Sequence, residues 1–362
     1  MNNVLLITSD YPPKIGGVSN YYANLVKHLK SVNIEVITNN HHQLAYSWPF
    51  FGWIKCFFTI LKITKTKKIS TILVGQILPF GTAIWLIGKL KKIPYIVFTH
   101  AMDITIPQKY PRKKFLLKLI LKSANKIITV SRYTKYEILK IMQNQDQRKI
   151  EIISPAPNIT PQLFPHLQIT DLKKSYQQKK IILSVGRLVE RKGYDYVVEV
   201  LPLLIKQKID FQYIIIGSGE YQNQLQTLVQ KLNLSEYVIF KDNLADEEVA
   251  KFYQICDVFI MPSRELENHD VEGFGLVFLE ANSFGKPVIG GKSGGIADAI
   301  LDGKNGYLVE PENHDMIAKA LIQLLTKPDL AIKIGSFGKE RVEKEFTWQA
   351  KAKQLDDILS CY

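Results

Sequence analysis

Cysteine is scarce in this chain of 362 residues: Cys56, Cys256 and Cys361 stand far apart, in no C-x-x-C or Cys/His pattern. Neither a disulfide framework nor a zinc site is suggested, and a reducing compartment fits. Long apolar runs are missing too. The most apolar stretch, Trp48 to Leu61, is broken by Lys55. It falls short of the roughly 18 to 20 apolar residues a membrane span needs, so the chain is not expected to cross a bilayer. Met1 leads straight into Val4-Leu5-Leu6-Ile7 and then polar Thr8-Ser9-Asp10, with no basic region or small-residue cleavage site, which reads as no signal peptide. A cytoplasmic protein is the expectation. Acidic residues are rare in the first half, where residues 1 to 165 hold 23 Lys/Arg against 6 Asp/Glu, a net of +17, while the rest holds 24 against 28. Such asymmetry points the first half at a polyanion, nucleic acid or an anionic membrane surface, with a merely solubilising surface as the alternative.

What is present is a rhythm. Hydrophobic residues make up 46% of the chain, enough for two ordinary domains. Short β-branched runs alternate with helix-length amphipathic segments from end to end, the pattern of parallel sheets covered by helices on both faces. The fold class is α/β. Strands are expected near Val4-Ile7, Ile34-Thr38, Thr71-Val74, Tyr95-Phe98, Lys126-Val130 and Glu151-Ile153. Pro155, Pro157, Pro161 and Pro165 then interrupt, the natural place for a domain boundary. The rhythm restarts at Ile181-Val185, Tyr213-Ile216, Val238-Phe240, Val258-Met261 and Pro287-Ile289. Two doubly wound domains facing a cleft follow, and ligands in such folds bind beyond the carboxyl ends of the strands.

Several strand-end loops carry suitable residues. Gly16-Gly17 follows the first strand and opens an amphipathic helix from about Val18 to Lys30, so its N–H groups can approach an anion; a plain tight turn reads similarly, since no G-x-G-x-x-G is present there. Arg187 and Lys192 flank the loop after Ile181-Val185, where a guanidinium fork and an ammonium can grip a diphosphate, or else form a solvated cluster. Glu272 and Glu280 bracket Gly273-Phe274-Gly275. On one helix this spacing would set them about 80° apart, but the glycines argue that the helix starts near Gly275, leaving Glu272 in the loop and Glu280 in the second turn. Glu280 lies inside the otherwise apolar run Leu276 to Ala281, where a carboxylate needs hydroxyl or amide partners. Gly290-Gly291-Lys292-Ser293-Gly294-Gly295 is an anion-accepting loop or a flexible turn, and His100, with Asp103 three residues on, is structural or functional.

Together Gly16-Gly17, Arg187 with Lys192, Gly217-Ser218-Gly219 and the glutamate pair resemble the retaining family-four glycosyltransferases of GT-B fold, over nearly the whole chain. Asp270 to Gly295 is most similar to bacterial mannosyltransferases of the phosphatidylinositol-mannoside type. The resemblance implies two Rossmann-like domains, 1–165 on the acceptor side and 166–345 for the nucleotide sugar, with a C-terminal helix at 346–362 packing back on the first. It implies that Arg187 and Lys192 bind the donor diphosphate, Glu280 the ribose and Glu272 the transferred sugar. His100 would lie beside the reacting centre, Gly16 and Gly17 would close over the phosphate, and Gly217, Gly219, Phe274 and Gly275 would line the donor site. Ala101 and Asp103 depart from the family's usual glycine and glutamate. No cofactor is implied beyond the donor, with GDP-mannose favoured and a UDP-sugar the alternative. No metal is implied either, in keeping with the absence of any Asp-x-Asp.

The acceptor expected is a glycan or a lipid-linked one. Trp48 to Lys68 and Arg112 to Lys122 combine apolar bulk with lysines, the type of helix that lies in a membrane interface, so peripheral binding to an anionic membrane is expected. Core helices with lysines at their ends are the alternative. Three rival functions remain: a glycoside hydrolase using the two glutamates, which leaves Arg187 and Lys192 idle; a nucleotide-sugar epimerase; and a nucleic-acid scaffold. The last is disfavoured, because the basic segments carry leucines rather than aromatics spaced along a groove, so no nucleic acid is expected.

Overall fold

The structure, a computed structural model, describes residues 2–14, 16–39, 44, 52–161, 164–242 and 244–362, without the side chain of His166. Its contacts divide into two units: Met1–Pro155 with Asn268–Gly273 and Trp348–Tyr362, and Ala156–Glu267 with Phe274–Thr347. The second unit thus lends a six-residue loop and the last helix to the first.

In the first unit β1 (Asn2–Thr8), β2 (Val32–Thr38), β3 (Thr71–Val74), β4 (Tyr95–Thr99), β5 (Lys126–Thr129) and β6 (Ile150–Ile152) form a six-stranded parallel sheet in the order β2-β1-β3-β4-β5-β6. Val4 to Ile7 and all of β3 and β4 are buried. These runs read as unbroken apolar segments because helices cover both faces of a parallel sheet. Helix Gly17–His28 follows β1 and buries Tyr21, Tyr22 and Leu25 at helical spacing, together with Ser19. The C-terminal helix Trp348–Leu359 packs on it: Trp348 stands edge-on to Tyr21 with centroids 6.0 Å apart. Asp356 accepts hydrogen bonds from the Lys30 N–H at 3.1 Å and from the Ser31 hydroxyl.

The second unit repeats the plan with β7 (Lys180–Val185), β8 (Phe211–Ile216), β9 (Val238–Lys241), β10 (Val258–Met261), β11 (Val288–Gly291) and β12 (Gly306–Val309), in the parallel order β12-β11-β10-β7-β8-β9. Helix Tyr194–Lys206 buries Tyr194, Val197, Val198, Leu201 and Leu204, an i, i+3, i+4, i+7 stripe against the sheet. The strands stand where the sequence places them, except that β12 was not anticipated. Strand order reverses between β1 and β3 in one sheet and between β7 and β10 in the other. Such switch points open a crevice at the carboxyl ends of the strands, where loops can reach a ligand. Among the described residues no helix is long and apolar enough to cross a membrane.

Candidate functional site

In the first unit the switch point is closed by side chains from three loops. Gln76, after β3, accepts the Ser9 N–H at 2.9 Å and donates to the Asp10 carboxylate, which also pairs with Lys14. His100 follows β4. Its Nε2 lies 2.7 Å from the Tyr22 hydroxyl, which in turn donates to the Gly75 carbonyl at 2.7 Å. Tyr21 and Tyr22 stand edge-on to the imidazole at 5.4 and 5.3 Å. Burial lowers the His100 pKa to about 4, against the opposing pull of Asp10, so the ring is neutral at neutral pH. Asp103 accepts the His100 N–H at 2.8 Å, and burial raises its carboxyl to about 7. Its second oxygen is buried with no hydrogen-bond partner among the described residues.

The borrowed loop Asn268–Gly273 lies beside this histidine. Thr105 donates to the His269 carbonyl at 2.9 Å, and a Cβ on Gly273 would stand 2.5 Å from the His100 carbonyl oxygen. Glu272, half-buried, is therefore carried on backbone that touches His100. Gly16 and Gly17 are exposed at the start of helix Gly17–His28, with open space around both.

In the second unit Arg187 and Lys192 follow β7. Arg187 is exposed with no side-chain partner among the described residues, while Lys192 is 9% exposed in the single turn Glu190–Lys192. The Lys192 Cε lies 3.9 Å from where a Cβ on Gly186 would stand, so its stem folds back beside Arg187's neighbour. Close backbone approaches bind the strand-end loops together. Gly217, at φ +140°, would put a Cβ 2.0 Å from the Gly186 carbonyl oxygen, and Gly193, at φ +74°, would put one 2.2 Å from that of Pro262. Only glycine meets both demands at these positions. Gly219 packs as closely on Leu188, whose N–H donates to the Ser218 carbonyl at 2.9 Å.

Glu280 occupies the second turn of helix Leu276–Ser283, which begins after Gly275 as the sequence indicates. Its carboxylate is 5% exposed and accepts from the Tyr253 hydroxyl at 3.1 Å and from the Asn158 and Ile159 N–H groups at 3.4 Å. These are the hydroxyl and amide partners a carboxylate in an apolar run requires. Burial nevertheless outweighs them and raises its pKa to about 7. Phe274 is buried, its ring 6.0 Å from that of Phe346.

Arg264 and Ser263, at these strand ends, escaped the sequence reading. Arg264, just past β10, holds Asp195 through both carboxylate oxygens at 3.0 and 2.8 Å, reaches Glu190 at 3.2 Å and stacks 4.4 Å over Tyr196. It thereby ties the β10 loop to the turn that carries Lys192. Ser263, and Ser293 in the Gly290-to-Gly295 loop already singled out in the sequence, bury hydroxyls with no partner among the described residues, just past β10 and β11. The one available signal for Ser263 is position, just after an apolar strand. Among the described residues no three His, Cys, Asp or Glu side chains are grouped as metal ligands.

Comparison with known proteins gives the same picture. Residues 169–341 match the glycosyl transferases group 1 family and residues 15–159 match glycosyltransferase family 4, so the two matches fall on the two halves of the chain. A GDP-mannose-dependent alpha-(1-6)-phosphatidylinositol monomannoside mannosyltransferase of Mycobacterium tuberculosis is 26% identical over 99% of this chain and 98% of its own. The GDP-mannose-dependent monoacylated alpha-(1-6)-phosphatidylinositol monomannoside mannosyltransferase of Corynebacterium glutamicum is also 26% identical, over 98% and 97%. Among solved structures, HepE of Anabaena in complex with UDP superposes with a TM-score of 0.82 at 18% identity, covering 100% of both chains. The chain is therefore a glycosyltransferase of GT-B fold, related to the group 1 and family 4 glycosyltransferases.

Proposed function

We propose that this enzyme is a retaining hexosyltransferase that moves mannose from GDP-mannose to a glycan or lipid-linked acceptor. The carrying observation is in the second unit: Arg187 stands exposed and Lys192 buried after β7, Gly193, Gly217 and Gly219 tie the neighbouring strand-end loops together, and a buried Glu280 lies on the helix that follows Gly275. In this reading Glu280 accepts the ribose hydroxyls, Glu272 the hydroxyls of the transferred sugar, and the backbone N–H groups of Phe274 and Gly275 face the donor. Gly16 and Gly17 offer further N–H groups to the phosphate.

As the sugar leaves, the glycosidic C–O bond breaks and negative charge builds on the diphosphate. Arg187 and Lys192 stabilise that charge, the part a divalent ion plays in other enzymes. The acceptor hydroxyl attacks from the face the leaving group vacates, its oxygen forms the new bond to the anomeric carbon, and its proton passes to the departing phosphate. Neutral His100 meets a substrate hydroxyl and supplies no charge of its own. The mannosyltransferase names of the relatives support mannose and GDP. A UDP-sugar donor is the second reading, favoured by the UDP and UDP-glucose complexes of HepE.

The first unit supports a lipid-linked acceptor and peripheral attachment to an anionic membrane. Helices Ile54–Thr66, Phe80–Lys91 and Pro111–Ser123 pack side by side and carry lysine and arginine but no Asp or Glu. Among those cations Phe58, Leu90 and Phe115 are 64%, 65% and 64% exposed, the mixture that anionic lipid surfaces attract. The Trp48 to Phe51 part of the first expected interfacial segment lies outside the described residues. The test is incubation with GDP-mannose or UDP-glucose and a bacterial lipid extract. Transfer yields nucleoside diphosphate only with acceptor present, and an α-linked product by proton NMR. Sugar interconversion without acceptor would replace this reading with an epimerase, and a β-linked product would refute retention.

A further inference from the structure

We infer that Tyr22 is a positioning residue that holds His100 as the Nε2–H tautomer, so that Nδ1 meets the substrate as a hydrogen-bond acceptor only. Tyr22 is buried, and burial raises its pKa well above the usual phenol value, so it carries one hydrogen at any physiological pH. The Gly75 carbonyl 2.7 Å away can only accept, and so takes that hydrogen. The phenol oxygen is then left as an acceptor facing His100 Nε2 at 2.7 Å, and Nε2 must donate. A neutral imidazole has one N–H, so Nδ1 keeps its lone pair. Nothing among the described residues bonds to Nδ1.

The rest of the residue is held equally firmly. Asp103 accepts the His100 N–H at 2.8 Å, and only a glycine at 273 leaves room for its carbonyl. Edge-on contacts from Tyr21 and Tyr22 fix the plane of the ring. The titratable groups around it are Asp10 after β1, Tyr21 and Tyr22 on the helix, Asp103 after β4, and Glu272 beside Gly273. An acceptor-only nitrogen selects a hydroxyl proton, the group a hexose or its acceptor presents. It rejects a phosphate oxygen, which has no hydrogen to give at neutral pH. The identity of the hydroxyl rests on the glycosyltransferase reading, whereas the tautomer does not.

The experiment is nitrogen and carbon NMR of the full chain with labelled histidine, His100 being assigned by comparison with His100→Asn. Wild type is expected to show a neutral ring protonated at Nε2. Tyr22→Phe keeps the ring's bulk but leaves Nε2–H unpaired; an Nδ1–H population should appear. Turnover of whichever of GDP-mannose or UDP-glucose the wild type consumes should fall about tenfold or more in kcat, with KM little changed. An Nδ1–H resonance in the wild type overturns the inference, and so does a Tyr22→Phe protein with unchanged turnover. Should Tyr22→Phe fail to fold, the wild-type spectrum still decides. Absence of turnover with both donors, beside an Nε2–H spectrum, would count against the donor reading and leave the tautomer standing.

Discussion

Replacing Glu280 by Gln should remove the pH dependence that this residue imposes on the second unit. In the unfolded chain the carboxyl ionises near its ordinary value of 4.5, while burial in the fold raises it to about 7. Between those values the folded state holds a proton that the unfolded state has lost. Stability is therefore complete below 4.5 and declines as pH rises through 7. Between pH 5 and pH 8 the loss is about 2 to 3 kcal/mol. Glutamine fills the same space, can still accept from the Tyr253 hydroxyl, and does not titrate. The stability of Glu280→Gln relative to wild type should therefore rise by about 2 to 3 kcal/mol from pH 5 to pH 8. Asp103, raised to about 7, and His100, lowered to about 4, titrate in both proteins and cancel from the difference. Urea unfolding of both proteins at pH 5, 6.5 and 8 measures it. A difference that stays constant across the three would refute the claim that Glu280 is held protonated by burial. On the proposed donor reading, ribose hydroxyls donate to the ionised Glu280 carboxylate, so nucleotide binding to wild type should tighten as pH rises through 7, and binding to Glu280→Gln should not.

Arg264→Met leaves Asp195 and Glu190 facing an apolar chain and should cost about 3 kcal/mol or more in urea unfolding; a cost below about 1 kcal/mol would show the pair to be a solvated surface contact. Gly217→Ala forces a Cβ against the Gly186 carbonyl at an unfavourable φ, and should lower stability by at least about 2 kcal/mol while weakening nucleotide binding, read by calorimetry. Phe58→Ser with Phe115→Ser removes two exposed aromatic side chains and should cut sedimentation with anionic liposomes at low salt at least about tenfold, with no change in thermal midpoint. Undiminished sedimentation would remove this helix layer from the membrane account.

The architecture was legible because parallel sheets write themselves as continuous apolar runs. Val4-Leu5-Leu6-Ile7 and Tyr213 to Ile216 admit no polar face, and both are wholly buried. The strand β12 was not legible: it lies on a sheet edge, begins with Gly306, and its Tyr307 and Leu308 are only half-buried. The start of the Glu280 helix was readable from Gly275, since glycine interrupts a helix and its positive φ suits the residue before one. The partners of the site residues were not. Tyr22 meets His100 from 78 residues away and Tyr253 meets Glu280 from 27, and no periodicity reports a hydrogen bond made across a sheet. Arg264, followed by Glu265, reads in sequence as an ordinary solvated charge. Only the fold, by reversing strand order between β7 and β10, brings it onto Asp195.

The central claim is that the second unit holds a nucleoside diphosphate, and thermal unfolding with GDP, UDP and ADP tests it most directly. A ligand at about 100 times its dissociation constant stabilises by roughly 2.7 kcal/mol. The account predicts a shift with GDP, or with UDP in the second reading, that is lost in Arg187→Ala and weakened in Glu280→Gln. No shift with any of the three nucleotides, or a shift that survives Arg187→Ala undiminished, would contradict it.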